Sequence, residues 1–274
     1  MDEEDIKSMK LYNFIDRVYN ELKELGKEIE GDLSINELSS FDQLHYHGTE
    51  SIDFAIEKLG INSNSKVLEI GSGIGGPSRY IAKTTGAKVT ALELQEDHHL
   101  VGIDLTKRCG LENNVEHLCG DFLNMKQPDE KYDAVVSWLA LYHIPNRDDL
   151  LETCIKILKP NGYFFAEDFA FHKPFNNEEK IELSKDFFAN YIVSYDDYAS
   201  DLIKAGFKGI ISDDMTKSWS DFTKSRHKAY KDNIARHTRV HNEAVVENML
   251  YFYNFAMRYL DGGKLGGIRI YAKK

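Results

Sequence analysis

The 274-residue chain has little cysteine, no long apolar run and fewer bases than acids. Its three cysteines, Cys109, Cys119 and Cys154, are odd in number and widely spaced, with no C-x-x-C pair. That excludes a disulfide framework and a cysteine-rich zinc site, and predicts reduced thiols in the cytoplasm. No hydrophobic stretch approaches the roughly 20 residues that a membrane-crossing helix needs, so no membrane span is expected. The opening Met1-Asp2-Glu3-Glu4-Asp5 lacks a basic region followed by an apolar one, and no secretory signal is expected. Lys and Arg total 34 against 45 Asp and Glu, a net charge of −11. A surface of that sign repels nucleic-acid phosphates and anionic leaflets, so no nucleic-acid partner is expected. Internal repeats and low-complexity tracts are absent as well.

What is present is an alternation of textures. Residues 1–60 read as a charged helical lid, in which Leu11, Ile15, Val18, Leu22 and Leu25 recur at helical spacings. Residues 61–274 read as the core. Lys66–Ile70, Lys88–Glu93, Val115–Cys119, Tyr132–Trp138, Tyr163–Asp168, Phe207–Ser212 and Gly267–Ala272 read as strands. Helices fall between them, at 97–109, Asp148–Leu158 and Tyr198–Ala205, and Lys159-Pro160-Asn161-Gly162 reads as a turn. Strands alternating with helices imply βαβ units. The expected fold is α/β: a Rossmann-like, doubly wound, seven-stranded, mostly parallel sheet. Insertions at about 171–195 and 214–262, rich in Phe, Tyr, Lys and Glu, would form a helical cap over the carboxyl ends of the strands, where ligands bind in such sheets.

The sharpest motif is Glu69-Ile70-Gly71-Ser72-Gly73-Ile74-Gly75-Gly76, placed after a strand and before a helix. Gly71, Gly73 and Gly76 satisfy G-x-G-x-x-G, the dinucleotide fingerprint. Glu93 ends the second strand, where a carboxylate accepts hydrogen bonds from ribose hydroxyls, as NAD and S-adenosylmethionine both require. Glu69 separates the two ligands. A pyrophosphate beside it would face a like charge at close range, whereas the α-ammonium and sulfonium of S-adenosylmethionine would be attracted. Gly120-Asp121-Phe122 follows the third strand. There Asp121 would accept the adenine amine and Phe122 would flank the ring; the alternative role for Asp121 is a helix cap.

This series of motifs, continued by Tyr132-Asp133-Ala134-Val135-Val136-Ser137 and Leu158-Lys159-Pro160-Asn161-Gly162, resembles the class I S-adenosylmethionine-dependent methyltransferases from about residue 41 onward. More narrowly, it resembles the small-molecule branch of sarcosine/dimethylglycine, phosphoethanolamine and sterol methyltransferases. The segment Asp42–Glu50 resembles that branch's closing segment. The resemblance implies S-adenosylmethionine as cofactor, held by Glu69, Gly71, Ser72, Gly73, Glu93, Leu94, Asp121, Phe122 and Trp138. It also implies a small-molecule acceptor. His143 matches a histidine that the phosphoethanolamine enzymes pair with a tyrosine, a place that falls to Tyr46. His143 is then expected to orient or deprotonate the acceptor, the alternative being a structural tie between loop and helix.

An amine such as sarcosine or dimethylglycine is the expected acceptor. A sterol-like carbon acceptor, phosphoethanolamine and an inactive cofactor-binding partner protein are the alternatives. The first insertion, Asp186–Tyr195, has no arginine to grip a phosphate. Phe169, Phe171, Phe187, Phe188, Tyr191 and Trp219 are candidates for an aromatic pocket that suits methylated ammonium. Arg226, Arg236, Arg239 and Arg269 are candidates to meet an acceptor carboxylate. The pairs His45/His47, His98/His99 and His237/His241 lack a glutamate in H-E-x-x-H form or a cysteine partner, so no metal is expected. The last pair reads as a solvated helix face.

Overall fold

The computed structural model describes Ile15, residues 17–27 and residues 30–274. Among the described residues three helices precede the sheet: α1 (Arg17–Glu24), the short α2 (Ile35–Leu38) and α3 (Thr49–Leu59). The core then runs β1 (Lys66–Ile70), α4 (Gly76–Thr85), β2 (Lys88–Glu93), α5 (Glu96–Arg108), β3 (Val115–Cys119), β4 (Tyr132–Trp138), α6 (Arg147–Ile157), β5 (Leu158–Phe171). It continues through α7 (Asn177–Phe187), β6 (Val193–Ser194), α8 (Tyr195–Ala205) and β7 (Lys208–Asp214). It ends with α9 (Thr216–Asp232), α10 (Ile234–Val240), α11 (Glu243–Asp261) and β8 (Leu265–Lys273).

The sheet order is β3-β2-β1-β4-β5-β8-β7, with the two-residue β6 added to β5. Pairing is parallel from β3 to β5, and β8 runs antiparallel between β5 and β7. The path therefore has the seven expected strands, and β6 is an eighth. Period-two alternation fills both faces of the sheet. Val67, Val89, Ala134 and Val136 pack with Ile52, Ala55, Ile81 and Ala82 of α3 and α4. Leu68, Val135 and Phe164 pack on the other face with Leu150, Leu151, Tyr198 and Leu202 of α6 and α8. Each Val, Leu, Ile or Phe among them contributes about 1.5–3 kcal/mol of burial.

Three expectations change. The segment Lys159–Gly162 does not separate a helix from a strand; it bulges out within β5. Leu158 pairs with Tyr132 and Tyr163 with Ala134, so four residues of β5 oppose Asp133 alone. Asn161 takes a positive φ of 65° there, and Lys159 Nζ reaches both Asp133 oxygens at 2.8 Å. Helix α8 begins at Tyr195 rather than Tyr198, because Ser194 caps it by accepting from Asp197 N at 3.0 Å. The stripe in α1 keeps Val18 and Leu22, which pack with Val101 and Leu105 of α5, but Leu25 is exposed. Leu11 lies outside the described residues.

The segment before α3 reaches the start of α4 through a close backbone approach. A Cβ on Gly76 would stand 2.5 Å from the carbonyl oxygen of Asp42. Gly76→Ala is expected to lower the unfolding free energy by about 1–3 kcal/mol, the usual cost of overpacking. Urea denaturation checks it, and an unchanged midpoint would show that the segment yields freely.

Candidate active site

The carboxyl ends of β1 to β4 converge on a cavity of about 280 Å³. Lining it are Glu69, Gly71, Ser72, Gly73, Glu93, Leu94, Asp121, Phe122, Trp138 and His143. The structure thus gathers every sequence-predicted cofactor residue, and His143 with them. Gly71 has φ 73°, and a Cβ on it would fall 2.2 Å from Ala140 Cβ, so this turn admits no larger residue. Gly71 N and Ser72 N both donate to Leu92 O at 2.9 Å, which ties the loop to β2. Gly73 N donates to Glu93 Oε2 at 2.7 Å and Gln95 N to Oε1 at 2.9 Å. Each Glu93 oxygen keeps a further lone pair for a ligand hydroxyl.

Glu69 is almost wholly buried and accepts a hydrogen bond from Ser78 Oγ. Burial pushes its carboxyl up to about 8, against the opposing pull of Ser78 and Arg79. Burial raises Glu93 as well, with the backbone donors opposing. Ser72 Oγ is buried with no partner among the described residues. Buried Glu69 and the orphaned Ser72 hydroxyl, both on the cavity wall, fit a ligand with a cationic amino-acid head. Asp121 accepts from Leu123 N at 3.0 Å and Asn124 Nδ2 at 2.7 Å, so it holds its own turn while lining the cavity. Trp138 Nε1 donates to Ser51 Oγ at 2.8 Å, which fixes the indole against α3.

A second, larger cavity of about 470 Å³ adjoins the first. Leu44, His45, Ile74, His98 and Leu139 line both. Phe169, Phe187, Phe188, Phe222, Phe252 and Phe255 give it aromatic walls. Tyr46 lines this cavity and stacks on the fully buried Trp219, with ring centroids 4.1 Å apart. The two expected catalytic residues therefore line different cavities. Trp219 lies behind Tyr46, Phe171 packs on Phe175, and Tyr191 is not on the wall. Trp219 has its place because Gly267 lacks a side chain: a Cβ there would stand 2.4 Å from the indole.

His143 is buried on the single turn Leu141–His143, and its Nδ1 is 3.0 Å from Phe188 O. A carbonyl only accepts, so Nδ1 carries the proton and Nε2 keeps its lone pair. Burial depresses His143 to about 4, and His45 likewise. Both rings are neutral at physiological pH.

Of the arginines, Arg236 pairs with Glu21 at 2.6 Å, Arg239 with Glu24 at 2.5 Å and Arg269 with Glu167 at 2.6 Å. Only Arg226 of these lines the larger cavity. The pair His237/His241 is not a solvated face. His241 is buried with Nε2 2.8 Å from Glu21, and His237 stacks on Tyr230 with centroids 4.0 Å apart. Helix α1 docks on α10 there, which a helical pattern alone does not reveal.

Sequence reasoning missed Arg79, fully buried on α4. Its Nη2 meets Asp42 Oδ2 at 2.9 Å, and its Nη1 donates to Ile74 O at 2.6 Å. One side chain thus holds both the glycine loop and the segment across the cavity mouth. In the sequence, an arginine in the first turn of a helix gave no signal of this.

Residues 67–162 match a methyltransferase domain family. A sterol 24-C-methyltransferase of Gibberella zeae is 33% identical over 46% of this chain and 33% of its own length. The phosphoethanolamine N-methyltransferase of Plasmodium falciparum is 25% identical over 72% of this chain and 73% of its own. The chain spans about a third of the length of that sterol enzyme. The structure of Haemonchus contortus phosphoethanolamine N-methyltransferase 2, with phosphomonomethylethanolamine and S-adenosylhomocysteine, superposes with TM-score 0.80. It covers 97% of this chain and 61% of that one at 17% identity, a likeness of fold. With the glycine loop, the two buried acids and the strand order already in place, residues 67–162 carry a methyltransferase domain, and the chain as a whole is similar to the class I S-adenosylmethionine-dependent methyltransferases.

Proposed function

We propose that the chain transfers the methyl group of S-adenosylmethionine to an amine nitrogen of a small-molecule acceptor held in the aromatic cavity. The wall shared by the two cavities carries the proposal, since Leu44, His45, Ile74, His98 and Leu139 include no carboxylate. Methylating an alkene carbon develops a positive charge that a carboxylate at the reacting edge would stabilise. An amine brings its own lone pair and needs only a neutral, desolvated place beside the donor.

When bound, S-adenosylmethionine supplies an electrophilic methyl on a sulfonium. Glu69 and Ser72 would hold its amino-acid end, Glu93 the ribose, and Asp121 with Phe122 the adenine; Gly71, Gly73, Leu94 and Trp138 would shape the cradle. His143 Nε2 would receive the acceptor's proton, and Tyr46 would wall the acceptor. Helix α1, the segment 41–50 and residues 214–262 would act together as a lid that excludes water. The free thiols Cys109, Cys119 and Cys154 suit a reducing cytoplasm. No helix among the described residues is long and apolar enough to cross a membrane.

The test is methyl transfer from labelled S-adenosylmethionine to glycine, sarcosine, dimethylglycine, phosphoethanolamine and a sterol, with products identified by mass. Turnover of amines supports the proposal. Turnover of the sterol alone overturns it.

Cofactor binding should also release a proton. Below about pH 8 the empty site holds Glu69 protonated. A cation bound beside it favours the ionised form and lowers its pKa. Near pH 7 calorimetry in buffers of different ionisation enthalpy should therefore report close to one proton released, fading above pH 8. Glu69→Gln should abolish the release. No release at pH 7 in the native protein would remove Glu69 from the cation's site.

A further inference from the structure

The larger cavity ends, away from the cofactor cavity, in a polar cluster that neither cofactor nor proton transfer uses. It is built by α1, α9 and α10. Tyr230 OH, His237 Nδ1, His241 Nδ1 and Arg17 Nε are all buried there with no hydrogen-bond partner among the described residues. Arg17, Tyr230, His237 and His241 line the cavity, as does Arg226 at its rim. Buried polar atoms without partners cost about 1–3 kcal/mol each, so four in one place point to a ligand that satisfies them.

The charge of that ligand follows from the ion pairs. Glu21 is the acid of the cluster, and its oxygens are engaged: Arg236 forks onto both at 2.6 and 3.1 Å, and His241 Nε2 takes one at 2.8 Å. Glu21, His237 and His241 have ligand atoms within 4.8 Å of one another. The guanidinium on the carboxylate, however, opposes a metal cation there. Arg17 and Arg226 have no ion pair among the described residues: Arg17 Nη1 rests on Met249 Sδ at 2.9 Å and Arg226 on the Phe222 ring at 5.7 Å. The excess charge is positive. A cavity of about 470 Å³ is also far roomier than a dimethylglycine-sized acceptor needs.

We propose that Arg17, Tyr230 and His237, with Arg226 at the rim, form an oxyanion subsite, and that the acceptor is an elongated amine whose apolar body leads to a carboxylate or phosphate. This rests on the methyl-transfer proposal above, and the experiment separates the two. Native protein and the variants Arg17→Met and Tyr230→Phe are assayed with ω-amino acids of increasing methylene number, the matching ω-aminoalkyl phosphates and the matching neutral amino amides. The anionic members should be preferred by about 10–100-fold in kcat/KM, the value of one or two charge-assisted hydrogen bonds. Arg17→Met should erase most of that preference, lowering kcat/KM for the anionic members far more than for the neutral amides. Equal use of acids and amides by the native protein, or an equal loss for both in Arg17→Met, overturns the subsite. The two anion series tell carboxylate from phosphate.

A binding arm needs no turnover: quenching of tryptophan fluorescence by 4-phenylbutyrate against 4-phenylbutanol. Tighter butyrate binding that Arg17→Met removes, with no amine methylated, would sink the methyl-transfer proposal and keep the subsite. Methylation without charge discrimination would do the reverse.

Discussion

Arg79→Met is expected to lower the free energy of unfolding by about 3–5 kcal/mol, the cost of leaving one member of a buried ion pair alone. Arg79 and Asp42 have side-chain exposures of 0% and 2%, so water cannot take over the solvation of either partner. The variant loses more than the pair. Arg79 also donates to Ile74 O in the glycine loop, so the loop loses an anchor as Asp42 is left uncompensated. Loop and mouth segment should then loosen together, and S-adenosylmethionine affinity should fall with stability. Equilibrium denaturation checks the first effect and calorimetry the second. Adding Asp42→Asn to Arg79→Met should recover part of the stability, because an amide tolerates burial better than a lone carboxylate. A loss below about 1 kcal/mol would mean that water reaches Asp42.

That pair also marks where sequence reasoning stops. The glycine loop was legible because its chemistry is local: Gly71 must turn at positive φ beside Ala140, and Glu69 and Glu93 sit at fixed offsets from their strand ends. The parallel sheet was legible for the same reason, as strands alternating with helices make βαβ units. The bulge in β5 was half legible. Pro160-Asn161-Gly162 announced a turn, but not that Leu158 would continue the ladder with Tyr132 before it. The larger cavity was scarcely legible. Arg17, Leu44, Leu139, Phe188 and Tyr230 are far apart in sequence and meet only because α1, α9 and α10 fold over the sheet. A buried histidine such as His241 looks, in sequence, like any exposed one. Only the docking of Glu21 against it distinguishes them.

His143→Ala is expected to lower kcat by about 100-fold or more while leaving the dissociation constant of S-adenosylmethionine within a few-fold of native. The expected size is that of a lost general base, since Nε2 keeps its lone pair while Nδ1–H is held by Phe188 O. Burial sets the pH dependence. With its pKa depressed to about 4, His143 is already unprotonated across the neutral range, so its contribution to kcat should be flat above about pH 5 and fall only as pH drops through 4. A histidine with its ordinary value would instead show a bend near 6.5. The competing role is mechanical: Phe188 ends α7 at φ 50° and lines the larger cavity, and His143 fixes its carbonyl. His143→Gln separates the two roles, because an amide N–H can still reach that carbonyl but has no lone pair basic enough to take a proton. If the glutamine variant turns over like the native enzyme, His143 is an anchor for Phe188 and the acceptor's proton leaves by another route. If it is as slow as the alanine variant while binding S-adenosylmethionine and unfolding like the native protein, His143 Nε2 is the atom that receives the proton.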